Sequence, residues 1–326
     1  MPAPTVLFGL NPLILSTVIL LLVYAALIAD SVNRAIISLL GACVMIVTGI
    51  LTQDMATKAI DANTIGLLTG MMILVSISRR SGLFQYLAIF SARQANASPW
   101  GILLILQITT AVLSALLDNV TTVLLVVPVT LAITRALDVP AYPFLFAEIF
   151  ASNIGGTATL IGDPPNILIG SLADLSFNAF VVHLTPVIIV IMAVQAVMIH
   201  LIWGREMHAT PEARARIMAL TAADEIEDKV LLHQSVSVIG LVIAGFIFAR
   251  QIHLEPGTIA MLGATLLMLL DNWEHHSEKQ AENVHRTFTD VEWITIFFFI
   301  GLFITVHGVE VGGLLHWLAD RLVAAT

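Results

Sequence analysis

Charge is scarce in this sequence. Asp, Glu, Lys and Arg make up 11% of 326 residues, against about 25% in an ordinary soluble domain. So few charges cannot wet the surface of a soluble chain this long, so most of its surface must face lipid. Cysteine is nearly absent. Cys43 stands alone, which excludes an internal disulfide framework, and its apolar surroundings assign it to packing. No basic stretch interleaves with aromatics, so nucleic acid has no footprint here. No nucleophile–base pair or metal-ligand spacing appears within the apolar runs, so neither an enzyme nor a resident cofactor is expected. Glu274, His275, His276 and His285 lack the His-Glu-x-x-His spacing of a metal site and read as part of a solvated loop. No basic region precedes the first apolar run, which therefore reads as a retained span and not a cleaved signal.

What is present is apolar sequence in long runs. A spanning helix needs about 20 mostly apolar residues, and nine stretches approach or exceed that: 13–29, 35–52, 63–78, 100–136, 142–170, 180–203, 234–250, 257–271 and 293–308. The expectation is an all-α polytopic membrane protein. Two stretches are irregular. The run 100–136 is barely long enough for two spans and has Asp118-Asn119 at its middle. The run 142–170 is too long for one simple span and carries Gly155, Gly156, Gly162, Pro164 and Pro165. Only 204–232 and 272–290 look polar and loop-like. Lys and Arg in short loops set orientation. With the N-terminus outside, 100–136 returning to its starting side and 142–170 crossing once, eleven of the fourteen basic residues fall inside. A re-entrant hairpin and two full spans at 100–136 satisfy this equally.

The sequence also repeats itself. Asp61, Gly70, Gly82, Leu83, Leu87 and Ala88 match Glu292, Gly301, Gly313, Leu314, Leu318 and Ala319 at a constant offset of 231. Upstream, Ile37, Leu40, Gly41 and Ala42 match Ile259, Leu262, Gly263 and Ala264. The first copy is read as residues 1–203: three spans, a hairpin at 100–136, a broken helix at 142–170 and a span at 180–203. Residues 204–232 form a cytoplasmic linker loop, and 233–326 a partial second copy of three spans. Five crossings in the first copy would start the second on the opposite side of the membrane, the inverted-topology arrangement of many secondary transporters. A second hairpin and broken helix do not follow within 233–326, so a fragment or a partner supplying the other half is expected.

Two segments concentrate polar chemistry. At the hairpin centre, Asp118, Asn119, Thr121 and Thr122 would stand where two helix ends leave unpaired backbone groups suited to ions. An ionisable residue deep in a bilayer costs at least about 2.5–3.5 kcal/mol and faces protein or a water-filled cavity. A simple interfacial turn is the competing reading. In the second segment, Gly155 and Gly156 free the backbone from helical angles, and Pro164 and Pro165 block a continuing ladder. Asn153, Thr157, Thr159, Asp163 and Asn166 place oxygens around that break, a donor set that suits a hard cation such as Na⁺. A flexible connecting loop is the competing reading there. Glu148, about one turn before Asn153, is placed to relay protons or tune the site, or else to sit near a membrane face.

The stretches DNVTTVLLVVPVT at 118–130, SNIGGTATLIGDPPNI at 152–167 and VEWITIFFFIGLF at 291–303 resemble signature regions of the ion transporter superfamily. The likeness is to the branch of arsenite permeases, NhaD-type sodium–proton antiporters and the P protein, with their citrate transporter-like domain. It implies two inverted repeats, each with a re-entrant hairpin and a discontinuous helix, moving in an elevator-like alternation. Carried over by position, it places Asp118, Asn119, Thr121 and Thr122 at the hairpin tip. Asn153, Gly155, Gly156, Thr157, Asp163 and Asn166 become the first repeat's share of the ion site. The function expected is secondary active transport of a small ion, as cation–proton antiport with Na⁺ or H⁺ as coupling ion. An anion permease for arsenite or a carboxylate such as citrate is the alternative, as is a truncated non-transporting subunit. The expected partners are the lipid bilayer, a small solute and a second copy in a homodimer; the expected location is a bacterial inner membrane with the N-terminus outside.

Overall fold

A computed structural model describes all residues except 1–5, 7, 8, 118, 174, 206, 220–223, 225, 274 and 326, and omits the side chains of 88, 322, 324 and 325. Every regular element among the described residues is a helix. In chain order they are α1 (Pro12–Ala29), α2 (Arg34–Val47), α3 (Gln53–Ala59), α4 (Ala62–Arg79), α5 (Leu83–Gln94), α6 (Pro99–Leu116), α7 (Asn119–Leu137) and α8 (Tyr142–Gly156). They continue as α9 (Pro164–Leu172), α10 (Phe177–Trp203), α11 (Pro211–Ala219), α12 (Lys229–Ile252), α13 (Pro256–Asn272), α14 (Ser277–Thr289), α15 (Trp293–Gly312) and α16 (Leu314–Ala325). Seven of these, α1, α4, α6, α7, α10, α12 and α15, are long and apolar enough to cross a membrane. Local chemistry sets several starts. Asn11 accepts from the Leu13 amide and Pro12 opens α1, while Asp228 accepts from the amides of Val230 and Leu231 at the start of α12. Both supply acceptors for amides that have no partner inside the helix.

Packing divides the chain into two compact units, residues 1–65 with 292–326, and residues 66–291. In the first, α2 lies against α1 and α15. A Cβ on Gly41 would stand 2.5 Å from a Val23 methyl of α1, and one on Gly301 would stand 2.5 Å from the Ser38 carbonyl carbon of α2. In the second unit α13 lies against α12 and α4 in the same way. A Cβ on Gly263 would stand 2.2 Å from a Val242 methyl, and one on Gly70 would stand 2.6 Å from the Ala260 carbonyl carbon. These are the glycines paired by the sequence repeat. Gly82 and Gly313, a further pair, both take left-handed backbone (φ +81° and +92°), which disfavours any residue with a Cβ. Each joins a long helix to a 12-residue one.

Some expectations need correction. The stretch 272–290 is solvated over most of its length but is not a loop: it contains α14, whose Thr287 is buried. Arg80, just after α4, reaches both Asp271, at 2.8 Å, and Thr287, and Ser76 donates to Asp290. The stretch 204–232 contains α11, whose Ala213 and Ile217 are buried. Arg216 Nε donates to the Ala136 carbonyl at the end of α7, satisfying one of its last acceptors. Cys43 is exposed on α2; an apolar stretch marks a lipid face as readily as a core.

Candidate functional site

The two irregular stretches of the sequence meet in space. The run 100–136 is a helical hairpin of α6 and α7, and the run 142–170 is a helix interrupted between α8 and α9. α6 and α8 run side by side in the same direction. Near their starts, Ile102, Leu103 and Leu106 share a core with Phe144 and Ala147. Near their ends, a Cβ on Gly155 would lie 2.3 Å from the Ala111 oxygen. α7 runs back, contributing Ile133 and Leu137 to that same core. The tip of the hairpin therefore stands beside the break.

Three hydrogen-bond connections tie them. Asn119 Nδ2 donates to Asn153 Oδ1 at 2.9 Å. Ser114 Oγ donates to the Ser152 carbonyl at 2.6 Å. Thr159 Oγ1 donates to the Ala115 carbonyl and accepts from the amides of Ile161 and Gly162. Within the break, Asn166 Nδ2 faces the carbonyls of Gly156, Thr157 and Thr159 at 3.4, 3.3 and 2.9 Å. An interrupted helix leaves carbonyls that water would otherwise satisfy; here one amide group covers three of them.

Gly155 and Gly156 do not break the helix as expected. Both lie in the last turn of α8, and what they provide is closeness. A Cβ on Gly156 would lie 2.6 Å from the Gly162 oxygen, and one on Gly162 would lie 2.4 Å from the Ser114 oxygen. The interruption comes after them, where Pro164 and Pro165 open α9 without N–H groups to continue a ladder.

Among the expected site residues, Asn119 and Asn153 are in direct contact. Thr157 Oγ1 donates to the Asn153 carbonyl at 2.9 Å, and Asn153 Nδ2 donates to the Ile149 carbonyl at 2.8 Å. Asn153 is exposed and Asn166 buried. Asp163 is half-buried at the start of α9, and its carbonyl accepts from the Asn166 amide at 2.9 Å. Thr121 and Thr122 lie in the first turn of α7, Thr122 fully buried. Asp118 lies outside the described residues. A cavity of about 490 Å³ opens beside the break between α6 and α10, with a wall dominated by side chains such as Leu104, Ile108, Ile188 and Met192. It offers few oxygens for an ion, so the polar face of Asn119, Asn153 and Thr157 is the better candidate.

A family profile described as a citrate transporter matches residues 21–326. The chain belongs to the citrate transporter family. It is an integral, multi-pass membrane transporter of that family. It is 39% identical over 317 residues to a 46 kDa membrane protein of Mycobacterium leprae, covering 96% of this chain and 72% of that one. It is equally 39% identical over 318 residues to an uncharacterized transporter of Mycobacterium tuberculosis, with the same coverage. The human P protein is 29% identical over 383 residues, covering 94% of this chain and 45% of that protein.

In this family member, two polar residues escaped the sequence reading: Ser114, which ties α6 to the break, and Thr130. Thr130 of α7 bonds Glu148 of α8. The available signal was a polar side chain inside an apolar run, where each unpaired polar group is costly and a partner is to be expected.

Proposed function

We propose that this transporter exchanges a small cation, Na⁺ in the first instance, for protons, with the cation held where the hairpin tip meets the helix break. The observation that carries this reading is the Asn119–Asn153 contact, which brings two interrupted stretches and their oxygens to one place. Charge and dipole geometry favour a cation. α9 begins with Pro164 and Pro165, so its first turn lacks two of the amide donors that make a helix N-terminus an anion site. Asp163 stands at the same position and supplies carboxylate oxygens.

The repeat is read as two halves of inverted topology, moving by an elevator-like alternation. The paired glycine contacts support it: Gly41 on Val23 matches Gly263 on Val242, and Gly301 on Ser38 matches Gly70 on Ala260. Matched contacts of this kind are what two copies of one repeat generate. The hairpin is read as re-entrant. α8 and α9, of 15 and 9 residues, are each too short to cross alone at 1.5 Å per residue. Their break then falls within the membrane, and the tip beside it does too. The excess of Lys and Arg on one side supports an N-terminus outside, and the mycobacterial relatives support a bacterial membrane.

A second reading, carboxylate transport, is favoured by the family's description as citrate transporters. A flux screen in vesicles with Na⁺, Li⁺, arsenite and citrate, each at two pH values, separates the two. Antiport predicts Na⁺ or Li⁺ flux driven by a pH gradient. Citrate or arsenite flux without cation movement overturns it.

A further inference from the structure

Glu148 lies midway along α8 and is 1% exposed. Thr130 Oγ1 bonds its Oε1; its Oε2 is buried with no hydrogen-bond partner. Among the described residues no fixed cation pairs with it. Of the helices packed on α8, α6 carries no titratable side chain, α7 carries only Arg135, and α10 carries His183 and His200. None of these forms an ion pair with Glu148 among the described residues. The only other titratable group on α8 is Tyr142.

The surrounding helices hold more buried polar atoms without partners: both amide atoms of Gln107, Thr110 Oγ1 and Gln195 Oε1. Gln195 Nε2 donates to the Ala147 carbonyl at 2.9 Å, the residue next to Glu148. Gln107 lies four residues before Ala111, which abuts Gly155, and so stands within about one helical turn of the level of Glu148. A buried carboxylate without a partner carries a desolvation penalty of several kcal/mol, and membrane-embedded carboxyls mark proton and ion paths. With no fixed countercharge beside it, the charge of Glu148 is balanced by a bound proton or by a cation nearby. Asn153 is five residues on, roughly 7 Å along the helix, close enough for one site to sense the charge of the other.

We propose that Glu148, positioned by Thr130, binds the proton that is exchanged for the cation. This rests on the cation–proton reading above. Proton binding converts the carboxylate to the neutral acid and weakens the hold on a cation at the junction. Cation binding there favours release of the proton from Glu148. The Thr130 bond links this exchange to the hairpin's second arm.

The test uses the purified full chain. An infrared difference spectrum across pH should show a protonated-carboxyl band that is lost in Glu148→Gln and displaced by adding NaCl. Thr130→Val should shift the midpoint of that band and Thr130→Ser should restore it, a pattern a merely structural role would not give. In vesicles, pH-gradient-driven radiosodium uptake by Glu148→Gln should fall by about tenfold or more, ~1.4 kcal/mol, with sodium–sodium exchange at equal pH falling far less. A band unchanged in Glu148→Gln, or full gradient-driven uptake by that variant, overturns the proposal. A band that is lost in Glu148→Gln but indifferent to NaCl, with no sodium flux by the wild type, supports the proton site and overturns sodium as the exchanged ion.

Discussion

Replacing Gly155 by alanine tests whether the break is held by backbone contact. The added Cβ would stand 2.3 Å from the Ala111 oxygen and 2.4 Å from its Cα. Comfortable carbon contacts lie near 3.5–4.0 Å, so the overlap is roughly 1 Å or more. The neighbour is the backbone of α6, which cannot swing aside like a side chain, so α6 and α8 must part. Overpacking of this kind costs about 1–3 kcal/mol. Alanine also gains about 1 kcal/mol of helix propensity over glycine, which would mask part of the loss. Gly240 provides the comparison: it is helical and a Cβ there meets nothing within 4 Å. The propensity gain is full at Gly240 in the middle of α12 and smaller at Gly155 in the last turn of α8, so Gly155→Ala should be less stable than Gly240→Ala by at least the overpacking cost, about 1–3 kcal/mol. The assay is the fraction of each purified variant that stays monodisperse in detergent after heating. If Gly155→Ala survives to the same temperature as Gly240→Ala, the close approach of α6 and α8 is wrong.

Asn166→Asp should be worse than Asn166→Ala, because it turns carboxylate oxygens toward the carbonyls of Gly156, Thr157 and Thr159. Leaving those carbonyls unpaired costs about 1–3 kcal/mol, read as lost thermal stability; equal stability of both variants with the wild type refutes the role. Asp271→Asn should destabilise by about 3–5 kcal/mol, the usual cost of stranding a buried charge, since Arg80 and Asp271 pair at 2.8 Å with side chains only 15% and 10% exposed. A double variant with Arg80→Met should recover part of that loss, measured by the same heating assay.

Much of the architecture was legible from where apolar runs begin and stop. The runs 100–136 and 142–170 were irregular on sight, and both resolve into paired helices at the places their polar residues indicated. The helices that escaped notice are short or amphipathic. α5, α11, α14 and α16 are too short or too polar to look like spans; of these, α11 buries Ala213 and Ile217 against protein, and α14 buries Thr287. The glycines misled in a more specific way. Gly155 and Gly156 read as helix breakers, since a sequence shows the freedom of a glycine but not the neighbour that needs its missing side chain. Partners distant in sequence were equally out of reach. Thr130 and Glu148 are 18 residues apart and meet only because α7 turns back along α8.

In the proposed mechanism an ion is carried at the junction of hairpin tip and helix break. Radiosodium uptake driven by a pH gradient, in vesicles holding either the wild type or Asp163→Asn, tests it most directly. Asp163 stands at the start of α9, and the proposal makes its carboxylate an oxygen donor to the ion. The wild type should accumulate the ion, and Asp163→Asn, inserted and monodisperse, should lose at least about tenfold of that uptake, ~1.4 kcal/mol. Equal uptake by the two proteins would contradict the assignment.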